Sequence, residues 1–112
     1  MKHLTNIQDI EQTIAENRLC LFYIKAPDCG VCNVMLDKVG QVADTFPSLC
    51  SFYTDIIEEP LIASRFLVYS GPTVLLLMDG KEVYKSLLSI AVCDWCINTM
   101  TDTMKILMSA KD

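Results

Sequence analysis

Two cysteines separated by two residues, Cys29-Gly30-Val31-Cys32, are the residues of this chain best placed to do chemistry. They stand where an apolar run ends in Ala26-Pro27-Asp28 and a helical pattern begins. The first turn of a helix has unpaired N–H groups and the positive end of the helix dipole. Both favour a thiolate over a thiol, so the position predicts a Cys29 more acidic than a free cysteine. A thiolate attacks a disulfide, whereas a thiol does not. Cys32, three residues on, is close enough to close a small disulfide ring. The expected cycle is attack by Cys29 on a substrate disulfide, a mixed disulfide, and displacement of the reduced product by Cys32. The same spacing forms half of many zinc sites, so a metal or iron–sulfur site through Cys29 and Cys32 is a rival reading. Two thiolates are too few to close such a site within one chain, which would have to share it with a second copy.

The four other cysteines read more plainly. Cys93-Asp94-Trp95-Cys96 is a second pair at the same spacing. Residues three apart share a helix face, so a second redox pair or a metal site is conceivable there. No further Cys or His spacing completes a zinc set nearby, and the favoured reading is that both behave as small core hydrophobes. Cys20 and Cys50 fall in interior strands and read as packing residues. His3 carries no catalytic signal. Six cysteines without an export-type leader point to reduced, buried or catalytic thiols rather than a disulfide framework.

The elements that must position Cys29 and Cys32 follow from periodicity and breakers. Thr5-Asn6-Ile7-Gln8 reads as a capping box opening a helix over 6–16, with Ile7, Ile10 and Ile14 at helical spacing. Asn17 and Arg18 end it. Leu19–Lys25 reads as a buried strand. A helix over 30–45 carries Val31, Met35, Val39 and Val42 on one stripe. Residues 49–56 form the next strand. Glu58-Glu59-Pro60 opens a helix that runs to Phe66. Ser70-Gly71-Pro72 is a turn, Thr73–Met78 a strand, Asp79-Gly80 a hairpin signal, and 82–87 the returning strand. Ser89 caps a last helix over 90–108, which carries Trp95, Met100, Met104 and Leu107. A short first strand near Leu4 precedes these elements. Alternation implies a parallel βαβ section, and the hairpin adds an antiparallel pair. The expected class is therefore α/β, with a mixed central sheet of four or five strands and helices on both faces.

Length and composition fit one domain over 1–112. Its hydrophobic fraction of 52% suffices for a core without disulfides or a metal. The net charge is −5 with no Lys/Arg cluster, which argues against nucleic acid as a partner. No apolar run approaches the roughly 20 residues needed to cross a bilayer. The polar start Met1-Lys2-His3-Leu4-Thr5-Asn6 lacks the apolar stretch of a signal peptide. The expectation is a cytoplasmic protein with no membrane attachment.

Over nearly its whole length the chain resembles the thioredoxin family. The resemblance rests on His3-Leu4-Thr5 before the first helix, Ala26 with Cys29-Gly30-Val31-Cys32, and Gly71-Pro72-Thr73 with a strand and Asp79-Gly80 at matching spacing. It implies a thioredoxin-like fold in which Gly30 and Val31 form the backbone of a redox-active CGVC motif. It also implies that Pro72 is a cis-proline facing the dithiol. The backbone at Gly71 would then pair with an extended substrate chain through main-chain hydrogen bonds. The implied activity is electron transfer to protein disulfides by a monomer without a bound cofactor, re-reduced by a thioredoxin reductase using NADPH.

Several positions depart from the family pattern. Asp28 replaces the common Trp before the first cysteine, and its charge opposes a thiolate at Cys29. Lys25 is a candidate counter-charge. Val31 replaces the proline between the cysteines, a change expected to alter how readily the disulfide is reduced. Tyr23 stands where the family often buries a carboxylate, and a phenol is a poor base at neutral pH. Asp37 replaces a helix proline. Gly71 replaces a bulkier residue, so a wider groove is expected. These departures motivate a second function class, a binding or sensing module that captures a partner in one redox state and turns over poorly.

Overall fold

The strands follow from runs whose alternate residues serve two different helical layers. The structure, a computed structural model, describes residues 1–26, 30–46, 48–69, 71–87 and 93–109, the side chains of 93–97, 100 and 108 excepted. The elements in chain order are β1 (Lys2–His3), α1 (Ile7–Glu16), β2 (Leu19–Lys25), α2 (Gly30–Asp44), β3 (Cys50–Asp55), α3 (Leu61–Phe66), β4 (Thr73–Met78), β5 (Lys81–Leu87) and α4 (Cys93–Ser109). They form a five-stranded sheet in the order β1-β3-β2-β4-β5. β1, β3 and β2 are parallel, while β4 and β5 are antiparallel to their neighbours. This is the mixed sheet expected from the sequence, with its fifth strand, Lys2–His3, lying next to Leu4 as expected.

Side chains alternate across β2 because successive Cβ atoms point to opposite faces. Cys20, Phe22 and Ile24 pack with Ile10, Ile14, Ile62 and Phe66 of α1 and α3. Leu21 and Tyr23 pack with Met35, Val39, Ala43 and Met104 of α2 and α4. β2 is buried on both faces, so it reads as a continuous apolar run.

Element ends explain where the sequence boundaries shift. Asn6, not Thr5, caps α1: its side chain accepts from the Asp9 N–H at 2.9 Å and donates to the Asp9 carboxylate at 2.8 Å. Asn outranks Thr at this position, which moves the cap one residue on. Asn17 closes the helix, its side-chain amide donating to the Thr13 carbonyl at 2.9 Å. α3 starts at Leu61, later than Glu58-Glu59-Pro60 implied, because Glu59 is used as a tie. Its carboxylate accepts from the Ile7 N–H at 2.7 Å and from the Leu61 N–H at 3.3 Å. Asp79 and Gly80 both have positive φ, 53° and 80°, the pattern of a two-residue type I′ hairpin. The expected Ser89 cap lies outside the described residues, and α4 is described from Cys93. No described helix is long and apolar enough to cross a membrane.

Candidate active site

The register of the sheet brings two of the candidate segments together at one end of the central strands. Leu19 pairs with Met78 and Ile24 with Thr73, and the antiparallel count carries on past the strand ends. Ala26 therefore comes beside Gly71. An ideal Cβ on Gly71 would lie 2.7 Å from the Ala26 nitrogen and 3.2 Å from the Ala26 Cβ. Only glycine permits that approach. The segment entering CGVC and the Gly71-Pro72 segment thus meet at one end of the central strands. The wider groove expected from Gly71 is not found at this point, since backbone from the end of β2 occupies the space a side chain would take.

The Gly71–Pro72 peptide bond is cis. Pro72 is buried and Gly71 half-buried. The chain leading to them is held by Lys85 of β5, whose ammonium donates to the Phe66 carbonyl at 3.2 Å and the Leu67 carbonyl at 2.6 Å. A cation at the last carbonyls of a helix satisfies acceptors the helix leaves open.

Gly30 begins α2 and Cys32 is its third residue. Gly30 is exposed, Val31 half-buried, and Cys32 only 1% exposed. Cys32 is disulfide-bonded. Cys20 and Cys50 are free thiols. Cys29 and Asp28 lie outside the described residues, as do the side chains of Cys93 and Cys96, so the expectations for those positions stay readings of the sequence.

Tyr23 supplies the contact beneath α2. Its hydroxyl donates a 2.6 Å hydrogen bond to the Cys32 carbonyl, and the side chain is fully buried. Burial pushes the phenol up from its ordinary value of 10.0, so it stays protonated and keeps the proton it donates here. The sequence identified Tyr23 as a missing base. It did not reveal that the same residue anchors the backbone of Cys32.

Lys25, the candidate counter-charge, carries its ammonium 5.7 Å from the centre of the Tyr53 ring, while the Asp28 and Cys29 it would serve lie outside the described residues. That ring also stacks on His3 at 4.6 Å. His3 Nε2 lies 2.7 Å from the Glu58 carboxylate, which gives it a tethering role for β1. Among the described residues no group of three or more His, Cys, Asp or Glu side chains is arranged to hold a metal.

Comparisons with known proteins agree with this geometry. The family model for thioredoxin matches residues 2–89. The chain is 32% identical over 85 residues to the thioredoxin-like protein YdfQ of Bacillus subtilis, covering 73% of this chain and 76% of that one. It is 28% identical to a thioredoxin of Mycoplasmoides gallisepticum, over 76% of this chain and 85% of the relative. The solved structure of Fasciola hepatica thioredoxin superposes with a TM-score of 0.75 at 26% identity, covering 88% of this chain and 98% of the other. Sheet order, site geometry and these likenesses agree that the chain belongs to the thioredoxin family.

Proposed function

We propose that this protein is a thiol–disulfide oxidoreductase that reduces or exchanges protein disulfides through Cys29 and Cys32. Membership of the thioredoxin family supports an oxidoreductase role in general. The observation that carries the finer reading is a disulfide-bonded Cys32, buried in the first turn of a 15-residue helix. In this reading Cys29 is the partner sulfur and the attacking one, stabilised as a thiolate by the helix terminus. Cys32, shielded from solvent, resolves the mixed disulfide. Gly30 and Val31 are the spacer that lets the ring close. An extended substrate lies along Gly71-Pro72 and is recognised by main-chain hydrogen bonds. Its partners are disulfide-containing proteins and a thioredoxin reductase as electron donor, and it acts as a cytoplasmic monomer. The test is reduction of insulin disulfides by the full chain with a dithiol as electron source. Cys29→Ser is expected to abolish turnover, and equal turnover by both proteins would reject the role of Cys29.

A second reading, a redox-dependent binding module, is favoured by one observation. The group beneath Cys32 is a protonated phenol rather than a carboxylate, so no base is supplied there for the resolving thiol. Redox-dependent capture of a partner with negligible insulin turnover would support it, and efficient turnover would remove it.

A further inference from the structure

We propose that Cys20 and Cys50 form a second thiol–disulfide site, closed by a low-molecular-weight disulfide and reopened by a dithiol. The two are direct register partners on the parallel strands β2 and β3, and both are free thiols. Registered residues on neighbouring strands project from the same face, and strands lie about 4.8 Å apart. That spacing falls inside the Cα separation of roughly 4.4–6.8 Å that a disulfide spans. The site is distinct from CGVC. Cys20 is the second residue of β2, whereas the chain leads toward Gly30 and Cys32 of α2 only from Lys25 at the strand's far end, roughly 16 Å from Cys20 at about 3.3 Å per residue.

The surroundings assign different roles to the two sulfurs. β1 is only two residues long and pairs with Phe52 and Tyr53, so it stops short of Cys50. Cys50 is accordingly half-buried, with the Lys2 ammonium near enough to favour its thiolate. Cys20 is fully buried, and its sulfhydryl lies 3.6 Å from the Asn17 carbonyl. The greater exposure of Cys50 and the nearby Lys2 ammonium favour ionisation of Cys50 before the fully buried Cys20. Burial raises both thiols above the ordinary cysteine value, Cys20 to about 12, so the reaction is slow beside that expected of a helix-terminal thiolate.

The chemistry balances as two exchanges. The Cys50 thiolate attacks the small disulfide, an S–S bond forms to Cys50, and one small thiolate leaves and takes up the proton that Cys50 lost. Cys20 then gives up its proton and attacks the Cys50 sulfur. The mixed disulfide breaks, the Cys20–Cys50 bond forms, and a second small thiol leaves. Two protein thiols are oxidised and one small disulfide is reduced to two thiols.

The experiment uses the full chain, fully reduced, then exposed to oxidised glutathione, quenched in acid, unfolded in denaturant and alkylated near neutral pH, and digested with trypsin without reduction. Cleavage after Lys and Arg places Cys20 in residues 19–25, Cys29 and Cys32 in 26–38, Cys50 in 39–65, and Cys93 and Cys96 in 86–105. The expected product is a cross-link between 19–25 and 39–65 that a dithiol removes. In Cys20→Ser, Cys50 is expected to retain a bound glutathione. Recovery of both wild-type peptides fully alkylated, while 26–38 is oxidised, would overturn the proposal. So would a wild-type Cys50 that holds glutathione without ever passing it to Cys20.

Discussion

The Tyr23 hydroxyl sits 2.6 Å from the carbonyl oxygen of Cys32, joining the middle of β2 to the first turn of α2. A neutral donor, buried at this point, fixes the backbone of Cys32 without taking part in proton transfer. Tyr23→Phe should therefore lower stability by about 1 kcal/mol, the ordinary worth of one hydrogen bond. It should leave insulin turnover within a few-fold of wild type, with the pH profile unchanged. Thermal unfolding and rates between pH 6 and 9 check this. A loss of 100-fold or more in rate, with unfolding unaffected, would assign the hydroxyl a role in proton transfer.

Gly71→Ala tests the contact with the end of β2. A Cβ placed 2.7 Å from the Ala26 nitrogen must push backbone, because no flexible side-chain end is there to yield. Overpacking of this kind costs roughly 1–3 kcal/mol. A drop in melting temperature is expected together with weaker saturation by protein substrate. An alanine variant as stable as wild type would mean that the two segments do not pack this closely.

Thr54 offers the opposite sign. Its hydroxyl is buried and has no hydrogen-bond partner among the described residues. An unsatisfied buried polar group costs about 1–3 kcal/mol. Thr54→Val, nearly the same shape, is therefore expected to raise the midpoint of urea unfolding. A lowered midpoint would show that the hydroxyl is bonded in solution.

Alkaline pH should destabilise the fold through Cys20. Its folded value of about 12 lies above the ordinary 9.0, with burial the main cause. Above pH 9 the unfolded thiol loses its proton while the folded one keeps it. The stabilisation is thus complete below about pH 9 and is lost as pH rises toward about 12. Tyr23, raised by burial from 10.0, acts with the same sign. Urea unfolding at pH 8, 9, 10 and 11 should show falling stability, and Cys20→Ala should flatten the fall. Constant stability through pH 11 would contradict the burial of these groups.

Much of the frame could be read directly from residue order. Leu19–Lys25 declared itself as a strand buried on both faces because every residue in it but Lys25 is apolar or aromatic, and Asp79-Gly80 marked its hairpin because few other pairs accept two positive φ values. The site was legible as types and spacing: Cys32 in a first helical turn, and Gly71-Pro72 ahead of a strand. Its contacts were not. That Gly71 faces Ala26, and that Cys20 faces Cys50, depends on strand register, which is set by long-range packing rather than by local pattern. Tyr23 was recognised as unusual, but its partner is a main-chain oxygen, and no side-chain pattern announces one. Helix starts moved by one or a few residues where a side chain was drawn into a cap or a tie, as at Asn6 and Glu59.

The central claim is a division of labour between two sulfurs, and trapping tests it most directly. Reduced Cys32→Ser and Cys29→Ser variants would each be mixed with a protein disulfide, quenched in acid and mapped by peptide mass. The account predicts that Cys32→Ser accumulates a mixed disulfide through Cys29, while Cys29→Ser accumulates none above background. Equal trapping by both variants, or trapping only through Cys32, would contradict it.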